Sequence, residues 1–209
     1  MKKLLLTTFA SVIGLAFPAA AQETIAPVKH DAYLSVRMGA SRMNMKMDGE
    51  KENKNVFSLS GAIGKEIASG LRAEFELTTY GEYEENETDG SDSFKYTHNA
   101  VNFSLNVLKD FDAGKIKPYV GGGLGFAVFS DELKYDFTDS GVHYWGKQDE
   151  TNTVFSANIQ AGVQLPVTDF LSVDVNARYT YFDDYKVFDD TLKMENNAVS
   201  LTAGVRLNF

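Results

Sequence analysis

The chain lacks cysteine, and it has only four prolines and one tryptophan among its 209 residues. Without cysteine it can form neither a disulfide framework nor a thiolate metal site. Basic residues are also scarce, since 20 Lys and Arg stand against 29 Asp and Glu, which gives a formal net charge of −9. Nucleic-acid binding needs clustered positive charge to neutralise phosphates, so the composition excludes a nucleic acid as partner.

Long apolar runs are absent as well, apart from one near the N-terminus. Leu4 to Phe17 is uncharged and mostly apolar, follows Lys2 and Lys3, and precedes the small residues at 19–21. This pattern predicts a secretory signal peptide over 1–21. The alternative is an N-terminal membrane anchor, but the run falls short of the about 20 residues that a spanning helix needs. Any further membrane residence must therefore come from strands.

The last eleven residues alternate strictly between apolar side chains and small or polar ones. The apolar positions are Val199, Leu201, Ala203, Val205, Leu207 and Phe209. A period of two predicts a strand with one apolar face, and eleven residues match a tilted strand that crosses a bilayer. Earlier segments repeat the pattern at 33–38, 57–64, 71–78, 101–107, 119–128, 155–165 and 171–181. The sequence therefore predicts eight strands.

Short and long connections alternate between these strands. The short ones are typical of hairpin turns rich in Gly, Asp and Pro, and lie at 66–70, 110–114 and 166–169. The long ones are charged, and lie near 41–54, 82–93, 130–152 and 183–195. A transmembrane barrel has short periplasmic turns and long extracellular loops, whereas a β-sandwich has no reason to separate them by side.

We therefore predict an all-β fold, an eight-stranded antiparallel up-and-down transmembrane β-barrel over 32–209, after a periplasmic lead over 22–31. Aromatic residues at the strand ends fit the girdles of such a barrel; they are Phe155, Phe170, Tyr179, Tyr181, Phe182 and Phe209. A lipocalin-like soluble barrel, with its apolar residues inside, is the alternative, because periodicity alone does not say which face points outward.

Two segments carry a resemblance to a known family. Residues 117–125, Lys-Pro-Tyr-Val-Gly-Gly-Gly-Leu-Gly, and the closing residues 199–209 resemble the small outer-membrane β-barrel family of opacity-type and OmpA-type proteins. The resemblance implies the outer membrane of a Gram-negative bacterium, contact with its lipid and lipopolysaccharide, and a terminal aromatic, Phe209, read by the barrel assembly machinery. The separate peptidoglycan-binding domain of OmpA-type proteins is not expected here.

Charged residues share the polar parity of the predicted strands and should face the lumen. They are Arg37, Arg72, Glu74, Glu76, Lys117, Asp174, Arg178 and Arg206. An eight-stranded lumen is about wide enough to be filled by side chains, and unpaired charges there would be costly. The main interpretation is a network of salt bridges that closes the barrel, and a narrow or gated ion path is the alternative.

Other candidate sites are weaker. The acidic segment 82–93 is better explained as a solvated loop than as a divalent-cation site, because its spacing fits no EF-hand. The Gly-rich residues 121–125 lack the Lys-Ser/Thr of a phosphate-binding loop. Neither His98 nor His143 belongs to a His-x-Ser pair on one strand face, which a resemblance to the barrel lipid A deacylases would require. We assign no catalytic, cofactor-binding or metal-binding residue.

The resulting hypothesis is a non-enzymatic, monomeric outer-membrane surface protein. Its barrel would anchor external loops for adhesion or envelope integrity, with a host or extracellular ligand as partner. A porin-like channel and a lipid A-modifying enzyme are kept as alternatives.

Overall fold

The computed structural model describes residues 31–47, 50–89, 92–139, 142–187 and 192–209. The predicted signal peptide, and all but the last residue of the predicted lead, lie outside the described residues. The strands are β1 (Ala32–Met47), β2 (Glu50–Ala68), β3 (Leu71–Asp89), β4 (Asp92–Asp110), β5 (Lys117–Asp139), β6 (Val142–Pro166), β7 (Leu171–Val187) and β8 (Leu192–Asn208). None of the described residues forms a helix long and apolar enough to cross a membrane.

The eight strands form one closed ring in which each pairs antiparallel with the next in sequence. The ring closes between β1 and β8, whose register runs from Tyr33 opposite Asn208 to Met47 opposite Met194. Beyond the ladder, the amide of Phe209 donates to the carbonyl of Ala32 at 2.9 Å. Closure leaves no strand edge within the ring, which confirms the predicted up-and-down barrel.

Apolar side chains cover the outside of the ring. Several are more than half exposed, namely Met38, Phe57, Ile63, Leu105, Leu124, Phe126, Ile159, Val199 and Leu201. The polar positions of the same strands point inward and are buried, among them Ser35, Ser60, Asn102, Asn106, Ser156 and Asn176. This facing rules out a lipocalin-like barrel, in which the apolar side chains would fill the interior.

The three short connections are turns at one end of the ring. Gly70, between β2 and β3, has a φ of 65°, and Gly114, between β4 and β5, has a φ of 77°. Both angles lie in the left-handed region that glycine adopts without steric cost. The carbonyl of Gly70 accepts a hydrogen bond from the amide of Asp110 at 2.8 Å, which ties two adjacent hairpins together at this end.

The strands are longer at the other end than the sequence predicts. Within the four segments expected to be loops, every residue that the structure describes belongs to a paired strand. The prediction missed these extensions because they are rich in charge, and because the facing of the apolar residues is reversed in some of them: Met43 and Met45 of β1 are buried inward, whereas Met38 points outward. Cross-strand polar contacts such as Lys46 with Glu195, at 3.1 Å, accompany the backbone ladder there.

Above the ring, the extended strands separate into two sheets. The pairing of β2 with β3 ends at Ser58 opposite Tyr80, and that of β6 with β7 ends at Ser156 opposite Phe182. The large rim sheet comprises 81–89, 92–99, 130–139 and 142–155; the small rim sheet comprises 183–187, 192–197, 41–47 and 50–57. β-Bulges at 80–83 of β3 and 182–185 of β7 coincide with the two separations.

Gly64 offers a test of how closely the lumen is packed. The ring of Tyr33 lies across it, so a Cβ at Gly64 would stand 2.2 Å from Tyr33 Cζ. We expect Gly64→Val to displace this ring and to lower the free energy of unfolding by about 1 to 3 kcal/mol. The temperature at which the folded band disappears, when samples heated in SDS over a temperature series are separated by electrophoresis, should fall accordingly. Ala73→Val, on the outer face of the adjacent strand, is the control and should leave the transition unchanged.

Candidate functional site

The lower part of the lumen, near the short turns, is organised around Arg72. Its Nη1 donates to the hydroxyl of Tyr33 at 2.7 Å, and its Nε to Asp110 Oδ1 at 3.0 Å. The guanidinium also lies 4.6 Å from the ring centroid of Tyr119. Arg206 stacks on the other aromatic ring of this layer, 3.6 Å from the centroid of Tyr33. Two cations therefore share one aromatic layer.

The middle of the lumen is organised around Arg37, which is buried among three carboxylates. Its Nη2 lies 3.1 Å from Glu74 and 3.0 Å from Glu76, and its Nη1 lies 3.5 Å from Asp174. Glu76 also pairs with Arg178. Since Glu74 in turn faces Arg72 at 3.4 Å, a continuous chain of opposite charges crosses the barrel from β7 to β3.

Neutral groups add hydrogen bonds to this chain. Tyr33 donates to Glu74 at 2.7 Å, and Tyr119 donates to Asp174 at 3.0 Å. The amide of Asn106 donates to Glu76 at 3.2 Å, and Arg178 donates to Gln160 at 3.0 Å. A buried ion pair offsets its desolvation only when such further hydrogen bonds are present.

The eight residues predicted for the interior charge network differ in their roles. Six are joined by ion pairs: Arg37, Arg72, Glu74, Glu76, Asp174 and Arg178. Arg206 lies in the lumen, but it stacks on Tyr33 and donates to Asn208 at 2.8 Å, and no carboxylate in the described residues pairs with it. The placement of Lys117 in the network is wrong. It has the inward parity, but it is the first residue of β5, where the barrel opens to solvent, and it is exposed.

An apolar layer, which the sequence analysis missed, lies above the charges. Phe129 and Phe182 are fully buried, with ring centroids 5.1 Å apart in an edge-to-face contact. Tyr80 packs edge-on against Phe182 at 5.9 Å, and Tyr185 stacks on Phe129 at 5.0 Å. The assignment of Phe182 to an outer girdle is therefore wrong. Its even number on β7 gives it the parity of Arg178, which was the available signal.

A small polar cluster covers this apolar layer. His98 stacks on Phe129 at 5.3 Å, and its Nδ1 lies 2.7 Å from Asp131 Oδ1. The hydroxyl of Tyr96 donates to the same carboxylate. Burial and the charge of Asp131 both raise the pKa of Tyr96 well above its usual range. His98 is only 3% exposed, so solvent does not reach its ring.

The large rim sheet carries an aromatic row beyond this cluster. Phe137 of β5 stacks between Phe94 of β4, at 5.7 Å, and Tyr144 of β6, at 5.3 Å, with both interplanar angles at 20°. On the opposite face of the same sheet, His143 pairs with Asp136 at 2.6 Å, and Trp145 is 76% exposed. Both faces of the large rim sheet thus carry exposed aromatic side chains. Among the residues described, no group of three or more His, Asp or Glu is arranged to hold a metal ion.

The comparisons with known proteins agree with this architecture. The outer membrane protein beta-barrel domain matches residues 7–206. Among solved structures, Neisserial surface protein A is 24% identical with a TM-score of 0.52, and the match covers 85% of this chain and 97% of that one. No curated protein matches the chain in sequence.

Two further solved structures share the fold at lower identity. The outer membrane protein OprG from Pseudomonas aeruginosa is 10% identical with a TM-score of 0.51, covering 87% of this chain and 98% of that one. A major outer membrane protein from Thermus thermophilus is 13% identical with a TM-score of 0.52, covering 86% of this chain and 100% of that one. At these identities the likeness concerns the fold alone.

The position of Glu76 between two guanidinium groups predicts the cost of breaking the network. Glu76→Gln removes the carboxylate shared by Arg37 and Arg178 and leaves excess positive charge buried. We expect the free energy of unfolding in urea to fall by about 3 to 5 kcal/mol. The control is Glu84→Gln, which breaks an exposed pair with Lys95 and should leave the urea midpoint unchanged. Equal losses in both variants would contradict a structural role for the lumen network.

Proposed function

The chain belongs to the outer membrane protein beta-barrel domain family, and on this premise we propose that it is a non-enzymatic surface protein. It resides in the bacterial outer membrane, as barrels of this family do. Its closed barrel would serve as an anchor, and the two rim sheets would be the part that acts outside the cell, in adhesion or in envelope integrity.

The observation that carries this proposal is the filling of the lumen. Starting from the short turns, the interior holds an Arg–Tyr layer, then the ion-paired chain, then the buried aromatic layer, and last the His98–Asp131 pair. Each layer is made of side chains in mutual contact. A barrel that is filled in this way provides rigidity and anchorage rather than a path for solutes.

The outer surface indicates how far the protein extends beyond the lipid. The apolar belt gives way on every strand to polar outward residues, including Arg42 on β1, Asn55 on β2, Thr153 on β6 and Asp183 on β7. Beyond them, β6 continues for eleven residues, from Asn152 back to Val142, and it is paired with β5 throughout. Because these extensions are ordered in sheets, they could present a fixed surface to a partner.

The chemistry of the described residues supports a role without catalysis. His98 is shut off from solvent by Phe129 and Tyr96, so a substrate could not reach it. His143 pairs with Asp136, and both side chains are more than half exposed to solvent on the sheet face. Much of the rate gain of an enzyme comes from holding the substrate in place against its catalytic groups, which such an exposed pair does not do.

The partners that we propose follow from location and charge. Lipid and lipopolysaccharide would surround the apolar belt, and Phe209, paired with Ala32 and 61% exposed, would be read by the barrel assembly machinery during insertion. We propose that the protein is a monomer. A net charge of −9 favours an external contact that is cationic or bridged by cations over an anionic one.

Conductance tests the closed barrel. Purified protein inserted into a planar bilayer should produce no stable single-channel steps, because every layer of the lumen is filled. A sixteen-stranded porin inserted under the same conditions is the positive control. Regular steps of one amplitude from this protein would favour the channel alternative and overturn the anchor.

Chemical labelling tests which end lies outside. Because the chain has no cysteine, Trp145→Cys on the large rim sheet and Lys115→Cys in the turn between β4 and β5 each introduce a single thiol. With a bulky polyethylene glycol maleimide, we expect Trp145→Cys to react on intact cells. Lys115→Cys should react only after the outer membrane is permeabilised. The reverse pattern would contradict the proposed orientation.

A further inference from the structure

The separation of the two rim sheets leaves four strand edges without a neighbouring strand in the described residues. These edges are 50–57 of β2, 81–89 of β3, 142–155 of β6 and 183–187 of β7. On the side that faces away from its own sheet, each edge presents backbone amides and carbonyls that no ladder satisfies. Such an edge can accept an additional strand from another chain.

Three of these edges carry features that oppose strand addition. The β3 edge has five acidic residues among nine, and it begins at a bulge. The β7 edge is five residues long, has three charges and also begins at a bulge. The β2 edge has four charges among eight residues, and Glu52 accepts a hydrogen bond from Tyr83 across the gap at 3.1 Å. Charges, short length and bulges are the means by which proteins protect edges.

The β6 edge lacks this protection. It is fourteen residues long, contains no proline, and keeps a continuous register with β5 as far as Val142 opposite Asp139. Its three charged residues, Lys147, Asp149 and Glu150, are grouped together. Lys147 is already paired with Asp149 at 2.6 Å and with Glu132 at 3.1 Å. The tip, Val142 to Gly146, carries no formal charge with histidine counted neutral.

The aromatic row indicates what kind of strand would fit. Phe94, Phe137 and Tyr144 stack on three successive strands, and the row stops at the open edge with Tyr144 45% exposed. A strand added to β6 would lie about 4.8 Å further along. An aromatic side chain on it could therefore stack on Tyr144 as Tyr144 stacks on Phe137.

A second copy in the same membrane does not suit this edge. Both copies would rise outward with strands tilted by about 35 to 45°, so two β6 strands related by an axis along the membrane normal would cross at about 70 to 90°. Strands that cross at such angles cannot form a ladder. The occupant must be free to align its backbone with β6, as an extended segment of a separate partner protein is.

We propose that the β6 edge, residues 142–155, binds an extended, largely uncharged peptide segment of an extracellular protein by adding it as a strand to the large rim sheet. Backbone hydrogen bonds to β6 would supply much of the affinity, and an aromatic side chain over Tyr144 would set the register. This inference rests on the proposed function, because it requires the rim sheets to lie outside the cell.

The test uses the purified full-length mature protein in lipid nanodiscs and a synthetic peptide of about twelve alternating Thr and Tyr residues, a length matched to the free edge. Saturating peptide should slow amide hydrogen exchange within 142–155 and leave the β3 edge unchanged. A peptide methylated on all of its backbone nitrogens, which has no N–H on either edge to donate to β6, should give no protection.

Two variants at the ends of the aromatic row provide the matched comparison. Tyr144→Lys at the open edge should weaken peptide binding about tenfold, through loss of ring stacking and gain of an edge charge. Phe94→Lys changes a ring of similar exposure, on a strand paired on both sides, and should alter binding by less than about twofold. A mobility shift between unheated and heated samples verifies that both variants fold.

Several outcomes would overturn the inference. The first three are absence of protection at 142–155, equal protection by the methylated peptide, and equal loss of binding in both variants. The fourth is protection that appears without peptide as the protein concentration rises, which would indicate a second copy. If any of these outcomes occurs while the planar bilayer shows no channel steps and Trp145→Cys is labelled on intact cells, only the proposed strand addition to β6 is contradicted. Channel steps or a reversed labelling pattern would instead overturn the proposed function.

Discussion

The pairing of β1 with β8 is the constraint on which the rest of the structure depends. Once those strands are joined, every strand in the ring has two neighbours and the backbone is satisfied without water, so the outer face can be wholly apolar. Closure at eight strands also limits the width of the interior. The side chains that point inward therefore have to fit and neutralise one another, because little solvent can reach them.

The lumen meets this constraint with charge rather than with a wholly apolar core. Arg37, Arg72 and Arg178 face Glu74, Glu76 and Asp174, so three fixed cations and three carboxylates lie within one connected arrangement. Burying such a set gains little net stability over an apolar filling, but removing one member is costly. A chain that is exported before it folds benefits from inward polar residues, because they keep the average hydropathy low until the strands assemble.

Sequence reasoning predicted the ring and most of its charged interior because both depend on parity alone. A period of two places Val199 outside and Arg206 inside without any knowledge of contacts. It could not assign roles that depend on depth: Lys117 has the right parity but lies at the solvent end, and Arg206 lies against Tyr33 rather than a carboxylate. The rim sheets escaped prediction for a different reason. Above the lipid the facing is reversed in β1, where Met43 and Met45 are buried inward, and this alternation lay within charged segments that are typical of loops.

The need to satisfy backbone hydrogen bonds explains both why the ring is closed within the lipid and why it opens above the lipid. Within the membrane an unpaired edge would have no water to bond, so the ring must be complete; outside, water satisfies the backbone and the pairing can end. The bulges at 80–83 and 182–185 mark where this freedom begins, and the ring separates into two sheets there. Three of the four resulting edges are short, acidic or cross-linked by side chains, which limits unwanted pairing. β6 departs from that pattern by keeping a long, regular edge next to an aromatic row, and this contrast within one molecule is the reason for assigning a role to β6.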